Sequence, residues 1–236
     1  RRGLMKQTFS ISGRIVDVHA GRIFAGTVGV EHGRIVSIRE GAASERRCIL
    51  PGFIDAHVHV ESSMLVPAEF ARLAAVHGTV GAVCDPHEIA NVLGSAGIEF
   101  MVQNGKSVPF KFCFGVPSCV PATGFETSGA CLDAEEVARL LARPDFHYLS
   151  EMMNFPGVLQ AFPDVAAKLT AARRLGKPID GHAPGLRHEL PQDGPEEPGV
   201  PVRPAELLRE VRGEVRRRDA LRVHGVEEDP PASPEV

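Results

Sequence analysis

Residues 51–63 read PGFIDAHVHVESS, a short apolar run that ends in His57 and His59, with Glu61 two residues further on. A β-strand sends alternate side chains to the same face. As a strand over 53–59, this run points His57, His59 and Glu61 together and turns Val58 and Val60 the other way. Three groups of metal-ligating type at one strand end imply further ligands elsewhere in the chain.

Downstream of Pro51, apolar strands alternate with helical stretches. Strands are expected at 53–59, 79–85, 110–116, 146–151 and 178–182, and the clearest helical patterns cover 133–143 and 164–176. Asp133 suits an N-cap with acidic residues in the turn after it, and the second helix ends in basic residues and Gly176. Strands alternating with helices predict parallel βαβ units, hence an α/β fold.

The flanks differ. Upstream, GRIVDV (13–18), GTVGVEHG (26–33) and GRIVSI (33–38) are β-branched runs bounded by glycine, which predicts hairpins. Beyond Leu190 the composition turns to proline, glycine and charge, with one charged amphipathic stretch over 205–223. Such a segment lacks the apolar residues to add strands and is expected to be disordered or loosely helical. The expected organisation is a β-rich lead-in over 1–50, a β/α region over 51–190 and an atypical tail over 191–236.

Composition narrows the function classes. A net charge of −4 offers no electrostatic case for nucleic acid or an anionic membrane, and with no Trp and one Tyr there is little for bases to stack on. No run approaches 18 apolar residues, and the N-terminus has no secretory apolar segment. Five cysteines (48, 84, 113, 119, 131) without a CxxC pair read as thiols in a reducing compartment, so the cytoplasm is the expected location. Dinucleotide-binding, phosphate-loop and GxSxG signatures are absent. PSCV and SGAC offer a Ser or Cys, but no basic partner is placed beside either.

The polar residues fall at strand ends. His57 and His59 close the first strand, Asp85, His87 and Glu88 follow the second, Ser118 follows the third, Glu151 ends the fourth and His182 ends the fifth. In a β/α barrel the C-terminal ends of the strands converge on one mouth, where the chemistry is done. Imidazole and carboxylate ligands suit Zn²⁺, Mn²⁺ or Fe²⁺, and a carboxylate can bridge two ions. Glu61 has three readings: a ligand, a partner that orients an imidazole, or a helix-initiating acid before SSMLVPAEF (62–70). DPHEIANV (85–92) reads either as a capping loop or as a substrate contact through His87 and Glu88. His19, His32, His77, His188 and His224 read as ordinary surface or core residues.

Together, PGFIDAHVHVESSML (51–65), DPHEIANVLG (85–94), PSCVPATGFETSGA (117–130), EMMNFPGV (151–158) and GKPIDGHAPGL (176–186) resemble the bacterial adenine deaminases of the amidohydrolase superfamily. The opening motif alone indicates only the superfamily; the combination is far more specific. The resemblance covers about residues 12 to 186. It implies a metal-dependent (β/α)₈ barrel of TIM type, here as about five β/α units, preceded by a small β-sandwich segment. It implies hydrolysis of adenine to hypoxanthine and ammonia at a binuclear Mn²⁺ or Fe²⁺ centre, with Zn²⁺ a further candidate ion. Carried over, His57 and His59 hold one metal, Glu151 bridges and His182 holds the other. Glu61, His87 and Glu88 are the candidates for catalytic or substrate contacts. A glutamate at 151 argues against the hydantoinase type, whose bridge is a carboxylated lysine. The resemblance also implies three more strands carrying a further histidine and an aspartate, so a C-terminally truncated chain is expected. The alternatives are a catalytically dead fragment or another cyclic-amide or amidine hydrolase. A small-molecule substrate is the expected partner, and a homo-oligomer is an open expectation.

Overall fold

A computed structural model describes residues 8–43 and 46–182. The expected tail over 191–236 and the end of the GKPIDGHAPGL motif lie outside the described residues. The chain divides into two compact units between Phe53 and Ile54.

The first unit is one mixed sheet of β1 (Phe9–Asp17), β2 (Arg22–Glu31), β3 (Arg34–Glu40) and β4 (Cys48–Ile49) in the order β3-β2-β1-β4. β1 with β2 and β2 with β3 are antiparallel, as the glycine-bounded runs predict, while β4 joins β1 in parallel. Glu31 pairs with Arg34, so His32 and Gly33 form a two-residue turn with φ of 50° and 75°. Positive φ at both positions gives the turn the twist that the flanking strands need, and Gly33 adopts it without steric cost. Ile15, Val28, Val30 and Ile49 make this unit's small core. Among the described residues this unit is a single sheet, where a small β-sandwich segment is expected from the sequence.

The second unit carries the β/α repeat. β5 (Phe53–Val58), β6 (Thr79–Cys84), β7 (Lys111–Pro117), β8 (Phe146–Met152) and β9 (Ile179–Gly181) lie side by side in chain order. β6 with β7, β7 with β8 and β8 with β9 pair in parallel. The connections hold α1 (Pro67–Ala75), α2 (His87–Gly105), α3 (Ala134–Leu141), α4 (Phe155–Leu159) and α5 (Pro163–Arg174). Parallel strands in sequential order with helical crossovers are the wall of a β/α barrel, present here as a partial barrel. α3 begins as its sequence predicts: the Asp133 side chain accepts the Glu136 N–H at 2.9 Å, and Val137, Leu140 and Leu141 are fully buried.

All five expected strands form, but the first stops one residue early. β5 ends at Val58, and Val60–Ser63 coil into a single 3-10 turn. The Ser62 N–H finds the His59 carbonyl at 3.1 Å, and the Ser63 hydroxyl donates to the Val60 carbonyl at 2.6 Å. These local bonds replace a strand ladder, and Met64, at φ 61°, closes the turn. The alternation that put Glu61 beside the two histidines therefore does not extend to it.

The two faces of the sheet have different cores. Ala82, Cys84, Phe114, Val116 and Leu149 pack in the large cluster with the helices. Val83, Cys113 and Tyr148, one step out of phase, form a second cluster. Asp85 and Ser150 continue that second alternation and are both fully buried. The Tyr148 hydroxyl is satisfied by the Cys84 carbonyl at 3.1 Å.

Gly115 makes room for this arrangement. A Cβ there would lie 2.6 Å from the Tyr148 ring and 2.7 Å from the Ser150 Cβ. Both neighbours are held by hydrogen bonds, so Gly115→Ala is expected to destabilise the fold by about 1–3 kcal/mol. A lowered denaturation midpoint checks this; an unchanged midpoint would show that the strands separate freely at this point.

Candidate metal centre

His57, the penultimate residue of β5, is exposed, and its Nε2 lies 3.1 Å from His59 Nε2. Asp180 of β9 approaches the other ring nitrogen of His57 at 3.7 Å. His59 caps the 3-10 turn. Its Nδ1 is 2.8 Å from the Asp85 carbonyl and 3.1 Å from the Glu88 carboxylate. Both partners are acceptors, so Nδ1 carries the proton and Nε2 presents a lone pair. Burial pushes the His59 pKa down, but Asp85, Glu88, the Asp85 carbonyl and Glu151 outweigh it and raise the value above normal. A field that favours a proton on this ring favours a metal cation for the same reason.

Glu151 faces three imidazoles. Its carboxylate lies 3.5 Å from His57, 3.3 Å from His59 and 2.7 Å from His182. The backbone is bent to allow this. Between the pairs Leu149–Ile179 and Met152–Gly181, β8 carries one residue more than β9, a bulge. Glu151 sits there at φ 32°, sparsely populated for a residue with a side chain, and the Ser118 hydroxyl holds its carbonyl at 2.9 Å.

Asp85 stands at the end of β6, its N–H bonded to the Val58 carbonyl at 3.0 Å. Its Oδ1 meets His87 Nδ1 at 2.5 Å and the Ser150 hydroxyl at 2.9 Å, whereas Oδ2 is buried with no hydrogen-bond partner. His57, His59, Asp85 and Glu151 each bring one ligand atom within 4.8 Å of those of the other three.

The sequence-predicted residues thus divide. His57, His59 and Glu151 converge. His182 reaches Glu151 but stands outside the group of four and is exposed. Glu88 sits on His59 with its side chain half exposed. His87 is buried behind Asp85, with its Nε2 accepting the Cys119 N–H at 3.3 Å. Glu61 points elsewhere: it accepts the Ile89 N–H at 3.1 Å. Ile89 is the third residue of α2, whose cap residue Pro86 makes no side-chain cap bond, so Glu61 caps the helix from a distance. The helix that Glu61 supports is α2, not the one that the following residues 62–70 lead into. Asp85 is the member of the cluster that sequence reasoning passed over. It obeys the strand-end rule that selected Glu151 and His182, but Asp85-Pro86 reads as a turn. Ser150 and Asp180 carried no signal of their own.

Residues 48–194 match the description "Amidohydrolase family". The chain belongs to the amidohydrolase family. Within it, the chain is 61% identical over 174 residues to an adenine deaminase of Methanosarcina barkeri, with 74% of this chain and 32% of that protein covered. It is 59% identical to an adenine deaminase of Salinibacter ruber (78% and 34% covered) and 47% identical to one of Borreliella afzelii (77% and 34%). The chain spans about a third of the length of the curated relatives it matches. The partial barrel is shared with the zinc-complexed atrazine chlorohydrolase of Arthrobacter aurescens TC1, at TM-score 0.50 and 11% identity, covering 72% of this chain and 52% of that one. A triazine hydrolase variant gives TM-score 0.52 at 14% identity, with 73% and 52% covered. These two likenesses concern the fold alone.

The residues of this amidohydrolase centre fit a divalent cation. Two imidazoles and two carboxylates are a mixed nitrogen and oxygen donor set suited to such ions. The buried, unpartnered Oδ2 of Asp85 is a lone-pair site that a cation would satisfy. No helix among the described residues is long and apolar enough to cross a membrane.

Glu61 generates a stability prediction. Burial raises its carboxyl pKa above the ordinary 4.5; its own N–H and that of Ile89 pull it back, and Glu88 adds to the rise. With a raised native pKa, the folded chain binds more protons than the unfolded one, so stability falls as pH rises through the window above 4.5. Glu61→Gln keeps an acceptor for Ile89 and removes the charge. In chelator it is expected to flatten that decline and to leave stability at neutral pH equal to or above wild type. Denaturation midpoints between about pH 4 and 8 test this; a steeper decline in the variant would contradict it.

Proposed function

We propose that this chain carries part of the active site of an adenine deaminase, which hydrolyses adenine to hypoxanthine and ammonia. The observation that supports this best is the convergence of His57, His59, Asp85 and Glu151 in a chain 61% identical to a protein of that name. In this reading, those four residues would hold one divalent cation. Glu151 and His182 would help to hold a second, since the Glu151 carboxylate lies near all three imidazoles. Mn²⁺ and Fe²⁺ are the ions this ligand set suits, with Zn²⁺ a further candidate.

A divalent cation here supplies Lewis-acid polarisation and lowers the pKa of water far enough to give a nucleophile near neutral pH. The bond that forms joins the water oxygen to C6 of adenine, and the bond that breaks joins C6 to the exocyclic nitrogen. One proton of the water ends on ring N1 and the other on the departing ammonia. Glu88 has the half-exposed carboxylate nearest His59 and is assigned to the substrate edge or its protons. His87 and Glu61, each occupied by a backbone N–H, support the site from behind.

Loading the purified chain with Mn²⁺ and adding adenine tests the reading. Mn²⁺ binding that is lost in His57→Ala is the expected outcome, and any turnover is expected to give hypoxanthine and ammonia in equal amounts and to fall by more than about 100-fold in that variant. Metal binding without hypoxanthine would assign this polypeptide the metal site alone. Deamination that survives His57→Ala and chelation would remove the metal centre from the chemistry.

A further inference from the structure

We propose that Ser150 and His87 are positioning residues for the metal centre: together they hold Asp85 Oδ1 so that only Oδ2 is left to bind a cation. The inference rests on the metal-centre reading above and assigns roles to two side chains that touch no metal themselves.

The hydrogen bonds around Asp85 run one way. The Cys119 N–H donates to His87 Nε2 at 3.3 Å, so that nitrogen carries no proton and the ring proton is on Nδ1. His87 therefore donates to Asp85 Oδ1, and the Ser150 hydroxyl donates to the same oxygen. Two donors meet one oxygen of a fully buried carboxylate, and none meets the other. A carboxylate flipped about its last torsion presents the same shape. Only fixed donors distinguish its two oxygens, and here both donors are buried and anchored. Ser150 is on β8, in phase with Tyr148, and His87 opens α2 with its far nitrogen tied to Cys119. A buried acceptor without a partner is costly to leave unsatisfied. Asp85 is also one of the four residues whose ligand atoms converge. Oδ2 is therefore a metal ligand that is aimed before any ion arrives.

Neighbouring groups do not supply this function. Glu61 also has a buried, unpartnered oxygen, but its other oxygen is committed to α2 and the residue lies outside the group of four. Asp180 lies 3.7 Å from His57, accepts the Gly181 N–H at 2.8 Å and stands outside the group of four.

The test uses the full chain with Co²⁺, reading affinity by chelator competition, ligand field by visible absorption, and the metal-free thermal midpoint. Ser150→Ala is expected to weaken Co²⁺ binding roughly 10–100-fold and to shift the absorption bands, with the metal-free midpoint close to wild type. His87→Ala should behave alike, and His87→Asn, which retains a donor near the Nδ1 position, should recover part of the affinity. Wild-type affinity and an unchanged spectrum in both Ser150→Ala and His87→Ala would overturn the inference while leaving the metal centre intact. So would a loss of affinity matched by a loss of metal-free stability, the mark of a purely structural role. Absence of Co²⁺ binding by the wild-type chain would instead overturn the metal-centre reading itself, and this inference with it.

Discussion

Parallel strands joined by helices must bury one face against those helices, and this constraint organises the second unit. Ala82, Cys84, Phe114, Val116 and Leu149 meet the requirement in the large core. The period of two then commits Val83, Asp85, Tyr148 and Ser150 to the other face. An aspartate in that position would be expensive if its surroundings were apolar throughout. It is tolerated because the same alternation brings a serine from β8, two strands away, and because α2 starts with a histidine. Gly115, lying between them, has no side chain to obstruct the meeting.

Regular alternation alone cannot build the rest of the centre. Ser150 and Glu151 are adjacent, so on an ideal strand they would face opposite ways. The extra residue in β8 and the positive φ of Glu151 let both contribute to one cluster. A backbone in that region costs on the order of 1–3 kcal/mol. The hydrogen bond from Ser118 to the Glu151 carbonyl helps hold it. The strain sits at a carboxylate that approaches three imidazoles, where a displacement would undo the geometry.

Electrostatics point the same way. His59 is surrounded by Asp85, Glu88 and Glu151, and its affinity for a proton rises despite burial. His57 and His59 bring their Nε2 atoms within 3.1 Å, hydrogen-bond distance, and both rings face the Glu151 carboxylate. Glu61 escapes this cluster because the chain turns after His59. One of its oxygens is used instead at the amino end of α2, where it accepts the Ile89 N–H and Pro86 makes no side-chain cap bond.

By itself the sequence determined the strand–helix alternation, the residue types gathered at the strand ends and the family. Those depend on local periodicity and on residues at strand ends, which short segments display. His57, His59 and Glu151 were legible for that reason. The fate of Glu61 was decided by a single turn of 3-10 helix, whose bonds form only where the strand ladder stops. The role of Asp85 depends on which of its oxygens is occupied, and that follows from Ser150, 65 residues away, and from the Cys119 N–H behind His87. Contacts of this kind leave no local pattern. They exist only when separate strands and a loop are brought into register by the tertiary structure.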